Sequence, residues 1–505
     1  MTRVARFAFL TAILLGEALR VPAQSPKAPL REQELDSSLG RLIPRLMKDG
    51  DVPGVSMAVV EDGRVLWHRA YGVRNSSSEK PVPIDDDTIF EAASLSKPVF
   101  AYAVLKLVDA GVIDLDTPIV RSMPGDYARD PRLRLITPRH VLSHTAGFPN
   151  WRSSKELEMH FAPGEQFSYS GEGFVYLQKA VERATGQSFD ALMKRLVFVP
   201  LGMTSSSFTW LDRYEGLKAT GHDAVGSPRP VNRPAEAESP ATLHTTTSDY
   251  ARFLIAALDG TGLSKKSFAE MLRPQSRVDE GCSNCVTARP TGRPSKEIAW
   301  GLGWGLQETE DGPSVWHWGD NGAGFQCYAL GYPRQRLGVV VFTNSLGGQG
   351  IIPDIVAAAI GGRHPAFAWI AYERYDSPAR TLLKDVLARG PAALQGYRDH
   401  KREGTTAVLT EEQVNRVGYW LLGKKRLKDA VAVFEMNAED FPKSWNVHDS
   451  LGEAYAEDGR RDRAIASYEK SVALNPENGN GVEQIKKLRG RDTPGPQDDS
   501  EPVER

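Results

Sequence analysis

The run Thr88-Ile89-Phe90-Glu91-Ala92-Ala93-Ser94-Leu95-Ser96-Lys97 decides how the chain is read. Its apolar first half has the composition of a strand ending at Ser94. A helical pattern starts there and continues to Ala110, where Gly111 stops it. A serine at such a junction sits at a helix N-terminus, with backbone N–H groups pointing outward. A lysine three residues later shares its helical face. The pattern predicts a serine nucleophile with an amine beside it. The spacing alone is weak evidence, because Ser77/Lys80 and Ser467/Lys470 repeat it. Ser77 lies in a polar turn, and Ser467 lies on ordinary helix surface. Only Ser94 joins an apolar run to a helix.

Working outward, residues 24–49 read as a linker and a first helix. Residues 55–74 read as two strands around the turn Glu61-Asp62-Gly63. Helical patterns cover 138–144, 171–185 and 248–258. Residues 227–240 hold four prolines without apolar periodicity and read as a loop. Strands are expected at 299–307, 314–318, 324–332 and 337–344, with a hairpin turn at 332–336 and a closing helix at 351–360. Strands at both ends with helices between them predict an α/β (α+β) domain, an antiparallel sheet flanked by helices with a helical subdomain.

The C-terminal part is a separate all-α unit. Residues 411–477 repeat with a period of 34: Gly418 matches Gly452, Ala430 matches Ala464, Phe434 matches Tyr468 and Pro442 matches Pro476. Helix–turn–helix units of that period resemble tetratricopeptide repeats. Two units are fewer than the usual three, so they are expected to pack on extra helices, either 378–387 or 481–488. The organisation expected is a signal peptide at 1–23, a hydrolase domain at 30–362, a helical linker at 363–408, repeats at 409–490 and a disordered polar tail at 491–505.

Charge removes other classes. A net charge of −2 on 505 residues gives no electrostatic case for nucleic acid or a membrane surface. Arg3 and Arg6 precede an apolar run at 7–16, and Val21-Pro22-Ala23 ends in a small residue. This reads as an export signal, with periplasmic or secreted destination and no transmembrane anchor after its removal. Cys282 and Cys285 have metal-like spacing, but a structural zinc site needs four ligands and no second pair exists. An oxidised pair is the better reading in an exported protein; which two of Cys282, Cys285 and Cys327 pair stays open. His140 and His144, four apart on a predicted helix, lack the glutamate that a zinc-protease pattern requires. No cofactor and no metal is expected.

Several segments match a known family together. Phe90 to Lys97, then Leu107-Val108-Asp109-Ala110-Gly111, Leu142-Ser143-His144-Thr145-Ala146-Gly147, Pro163-Gly164-Glu165, Pro200-Leu201-Gly202-Met203 and His317-Trp318-Gly319 occur in order. In this the chain resembles the serine β-lactamase and penicillin-binding family, in the branch of class C β-lactamases, DD-peptidases and family VIII carboxylesterases, over about residues 30–362. The resemblance implies catalysis by Ser94, Lys97 and Tyr169 through an acyl-enzyme, with either Lys97 or Tyr169 as base. It implies substrate contacts from His317, Gly319 and Asp320, with backbone N–H groups of Ser94 and Asp320 as the oxyanion hole.

Two departures stand out. The family's Tyr-x-Asn is here Tyr169-Ser170-Gly171, and His317 stands where β-lactamases carry lysine. Both favour a carboxylesterase or D-amino-acid peptidase over an efficient β-lactamase. The substrate expected is a small ester or a peptide. The competing reading is a catalytically weak penicillin-binding scaffold whose repeats bind a protein or peptide partner, or self-associate.

Overall fold

The computed structural model describes residues 30–490 apart from 123–126, 128, 154 and 287–289. The expected signal peptide and tail lie outside the described residues. An eight-stranded antiparallel sheet forms the centre, in the order β2-β1-β10-β9-β8-β7-β6-β5. Its strands are β1 (Gly54–Glu61), β2 (Arg64–Gly72), β5 (Ser276–Asp279), β6 (Pro294–Trp300), β7 (Gly305–Thr309), β8 (Gly312–Asp320), β9 (Gln326–Tyr332) and β10 (Leu337–Thr343). A two-stranded ribbon pairs β3 (Phe90–Glu91) with β4 (His244–Thr245). The chain thus begins and ends its sheet in adjacent strands, because β1 pairs with β10 from Val55–Thr343 to Glu61–Leu337.

Alternation along these strands builds two cores. Met57, Val59, Val339 and Val341 face α1 (Glu32–Asp49) and the late helix that closes the sheet. Ala58, Val60, Val340 and Phe342 face α2 (Ser96–Asp109) and the helical subdomain. That subdomain contains α3 (Pro138–Leu142), α4 (Gly171–Thr185) and α5 (Phe189–Met193). It is followed by α6 (Thr247–Asp259), which covers the sheet, and α7 (Lys265–Leu272). The closing helix is α8 (Gly348–Ile360), packed on α1. Each fully buried valine or isoleucine in these layers contributes roughly 1.5–3 kcal/mol of transfer free energy.

Three expectations are corrected. The strand read at 299–307 is two strands, β6 and β7, because the chain turns at 301–304 with Gly303 at φ +81°. A Cβ at Gly303 would lie 2.2 Å from that of Ala101, so the turn wedges glycine against α2. The short edge strand β5 was not expected at all. The strand before Ser94 is only two residues, and the serine lies in a 3₁₀ turn, Ala93–Leu95, that leads into α2.

Beyond α8 come α9 (Pro365–Ile370), α10 (Pro378–Arg389) and α11 (Ala392–Glu403). The two repeats are α12 (Glu411–Gly423) with α13 (Leu427–Asp440), and α14 (Trp445–Glu457) with α15 (Arg461–Leu474); α16 (Gly479–Gly490) follows. Gly418 backs onto Phe434 and Gly452 onto Tyr468, the same contact one repeat apart. Both candidate flanking helices serve, since α10 packs on α12 and α16 on α15. The module also touches the sheet domain. Lys424 donates to the Val225 carbonyl, and the Arg380 guanidinium lies 4.2 Å from the Trp420 ring centroid.

Candidate active site

Three separate elements bring side chains to Ser94. The serine is half-buried, and the residue before it, Ala93, has φ +47°. A β-carbon in the left-handed region is strained, which tightens the turn that presents Ser94. Lys97 follows one turn later at the start of α2, 1% exposed, and donates from Nζ to Ser94 Oγ at 3.1 Å and to the Pro240 carbonyl at 3.1 Å. Among the described residues no carboxylate pairs with it. Burial therefore pushes the Lys97 ammonium well below its ordinary pKa and favours the neutral amine.

Tyr169 comes from the residue just before the N-cap of α4. Ser170 is that cap: its hydroxyl accepts from the Gly173 N–H at 3.0 Å and donates to the Pro149 carbonyl at 2.7 Å. This fixes the Tyr169 ring 4.7 Å from Lys97 Nζ. Its hydroxyl is buried without a hydrogen-bond partner. Burial raises its pKa, and the nearby Ser94 hydroxyl only partly offsets that, so Tyr169 is a phenol and not a phenolate.

The third wall is β8. Its pairing with β7 stops at Trp316, whereas its pairing with β9 continues to Asp320. Residues 317–320 therefore have a strand-free edge on the β7 side, beside the Ser94 turn. Gly319 is required by the close approach of that turn: a Cβ there would lie 2.5 Å from the Ala92 carbonyl oxygen and 2.3 Å from Cys327 Sγ. Asp320 is tied down, its carboxylate accepting from the Gly322 N–H at 3.0 Å and from Gln326 Nε2 at 2.8 Å. The next residue, Asn321, donates to Glu91, whose other oxygen is paired with the buried Lys218 at 2.8 Å.

His317 is fully buried, and burial, helped by Lys97, lowers its pKa to about 3. It is a neutral imidazole at pH 7 and supplies no cation. Its Nδ1–H donates to the Trp318 carbonyl at 2.7 Å, which leaves Nε2 as an acceptor without a partner.

His144 was considered in the sequence only as half of a metal pair with His140. In the fold His140 turns to Thr137 in a capping box, whereas His144 joins the site. Its Nδ1 accepts the Ser170 N–H at 3.0 Å and its ring stacks on Tyr169 at 4.3 Å. Burial first, then Lys97, holds it neutral. The two tryptophans beside the turn at 301–304 face different cores: Trp300 packs on His144, Tyr169 and His317, while Trp304 stacks on Phe253.

The segment read as linker also enters. Trp369, in α9, packs on Trp318 and Phe167 and donates its indole N–H to the Asp279 carbonyl at 2.8 Å. Tyr372 packs into the same cluster, and burial together with the Asp320 charge raises its pKa. Nothing in a local motif announces these two aromatics. Glu373 then pairs with Arg416 of α12 at 2.8 Å, a direct link to the repeats. The cysteines resolve as a Cys282–Cys285 disulfide, with Cys327 free and buried. The disulfide loop borders the site, because the Tyr169 N–H donates to the Ser283 carbonyl at 2.9 Å.

Residues 39–360 match the Beta-lactamase family, and residues 445–478 match the Tetratricopeptide repeat family. The chain is 26% identical over 415 residues to Penicillin-binding protein 4* of Bacillus subtilis (strain 168), covering 74% of this chain and 85% of that protein. It is 30% identical over 228 residues to Esterase EstB of Burkholderia gladioli, covering 39% and 57%. The fold is shared with D-alanine carboxypeptidase AmpC from Burkholderia cenocepacia, at a TM-score of 0.52 and 19% identity over 65% of this chain and 97% of that one.

Proposed function

The chain belongs to the Beta-lactamase family, and from that premise we propose that it is an exported serine hydrolase that cleaves an ester or amide bond through a Ser94 acyl-enzyme. The single observation that carries this is Lys97 Nζ at 3.1 Å from Ser94 Oγ, buried and without a counter-charge. A lysine acts as a base only when neutral, and burial supplies that state. The raised pKa of Tyr169 disfavours it as the base and suits it to pass a proton.

In the proposed cycle, Ser94 Oγ bonds to the carbonyl carbon as its proton moves to Lys97 Nζ. Backbone N–H groups of Ser94 and Asp320 take the developing oxyanion. The leaving oxygen or nitrogen departs with the proton from Lys97, relayed by the Tyr169 hydroxyl. Water then adds to the acyl carbon, gives its proton to Lys97, and Ser94 leaves and recovers a proton. Gly171 offers no side-chain amide, and His317 is neutral; together they favour ester or D-amino-acid peptide substrates over rapid lactam turnover. The repeats, joined to the site through Glu373, are proposed to bind a protein or peptide partner.

The test is intact-protein mass after a fluorophosphonate probe, comparing wild type with Ser94→Ala. One adduct, lost in the variant, is expected, with p-nitrophenyl acetate turned over faster than nitrocefin. An unlabelled wild type with native circular dichroism would overturn the hydrolase reading and leave the repeats as the functional part.

A further inference from the structure

Gly171 occupies the position where the family pattern carries asparagine, and the structure has filled the space differently. A Cβ built on Gly171 would lie 3.0 and 3.1 Å from Cζ2 and Cη2 of Trp151. The indole therefore stands directly in the path a side chain at 171 would take. Trp151 is held there by its neighbour: the Asn150 carbonyl accepts from the Gly171 and Glu172 N–H groups at 2.9 Å each, and Asn150 Oδ1 accepts from the Gly171 N–H at 3.0 Å. The loop is thus pinned to the N-terminus of α4.

That end of α4 faces the cleft. Phe174, one turn after Gly171 on the same helical face, has its ring 5.7 Å from Lys97 Nζ. Tyr169 lies two residues before Gly171. Trp151 nevertheless keeps 46% of its surface exposed, so part of the indole is open beside Gly171 at the N-terminus of α4. An amide side chain would offer a donor and an acceptor to an acylamido group. An indole face offers apolar area and stacking, with a preference for flat apolar groups.

We propose that Trp151 is a substrate-binding residue of the Ser94 site, standing in the place of an asparagine side chain at 171 and selecting acyl groups that carry a flat apolar substituent. The assignment rests on the acyl-enzyme reading above and narrows its substrate class to esters of aryl-bearing acids. It also fits glycine at 171, since a side chain there would press on the indole and on the Asn150 carbonyl.

The test compares p-nitrophenyl phenylacetate with p-nitrophenyl acetate, which share a leaving group. In wild type the ratio of kcat/KM, phenylacetyl over acetyl, is expected to exceed one. Trp151→Ala is expected to lower that ratio about ten-fold, the size of one hydrophobic subsite contact, and Trp151→Phe to retain most of it. Fluorophosphonate labelling of Ser94 runs in parallel. A labelled wild type whose ratio is one or less overturns the assignment alone, as does an unchanged ratio in a labelled Trp151→Ala protein. No labelling of wild type overturns the hydrolase reading and the assignment with it.

Discussion

The Ser94 cleft and the helical repeats of this chain are assembled over very different distances along the sequence. In the repeats, small residues let two helices meet over an aromatic ring, Gly418 on Phe434 and Gly452 on Tyr468, and the charged side chains pair with near neighbours, as the buried Asp429 does with Arg426 three residues away. The glycine-on-ring contact is local and recurs 34 residues on. In the cleft, residues from positions 94, 144, 169 and 317 converge, and the Tyr169 hydroxyl and the Nε2 atoms of His144 and His317 are buried without partners. Such groups are costly to bury. The repeats are built from near neighbours, and the cleft gathers buried, unpartnered groups from distant parts of the chain.

The sharpest way to break this contrast uses the two Ser-x-x-Lys pairs that the regions share. Lys97 is 1% exposed and Lys470 is exposed. Lys97→Arg places a group that cannot lose its proton beside Ser94. The p-nitrophenyl acetate kcat should fall about 10³-fold, within the range for loss of a general base. Lys470→Arg should leave kcat unchanged. Equal rates in all three proteins would mean that burial of Lys97 has no catalytic consequence.

Acid provides a second, smaller contrast. His317 is lowered to about 3 and His244 to about 4, both chiefly by burial, and His144 lies well below its ordinary value for the same reason. The unfolded chain takes up protons near pH 6.5 and the folded one does not. Stability is therefore full above about pH 6.5 and is lost as pH falls from there toward 3, at up to about 1.4 kcal/mol per pH unit for each such histidine. The repeats hold one comparable group, His448, lowered by burial. Hydrogen exchange between pH 7 and 5 should show the sheet domain losing protection before α12–α15. The reverse order would place the sensitive groups in the repeats.

The repeats were almost wholly legible in the sequence because each contact is set by neighbours at a fixed spacing. The β1–β2 hairpin was legible for the same reason, with its turn written as Glu61-Asp62-Gly63. For the cleft, the motif order brought out Ser94, Lys97, Tyr169 and His317. It did not reveal that His317 is buried beyond charging, because its burial is made by strands and helices far away in the chain. The apolar run 299–307 hid a turn that only the approach of Ala101 to Gly303 explains. His144, Trp369 and Tyr372 join the cluster around Tyr169 and Trp318 through tertiary packing, and nothing at their own positions distinguishes them from core aromatics. The cysteine pairing stayed open for a like reason, since three cysteines permit three pairings and only the fold brings Cys282 and Cys285 together away from Cys327.

The least of the expected effects asks whether the two regions are energetically one. A Cβ at Gly418 would lie 2.4 Å from Phe434 Cζ, and the ring cannot retreat because it is fully buried. Gly418→Ala overpacks that site and should destabilise the first repeat by about 1–3 kcal/mol. The module meets the rest of the chain through the packing of α12 on α10, with Arg380 over Trp420, and through the polar links Glu373–Arg416 and Lys424 on the Val225 carbonyl. The Glu373–Arg416 pair is partly exposed, and such pairs contribute about 0–1 kcal/mol each. Little of the strain should pass through them. Exchange protection in α12 and α13 should therefore fall while the rate of Ser94 labelling stays at the wild-type value. If labelling slows in step with the lost protection, the segment carrying Trp369 and Tyr372 transmits repeat stability into the site, and occupancy of the repeats by a partner would then act on hydrolysis by the same route.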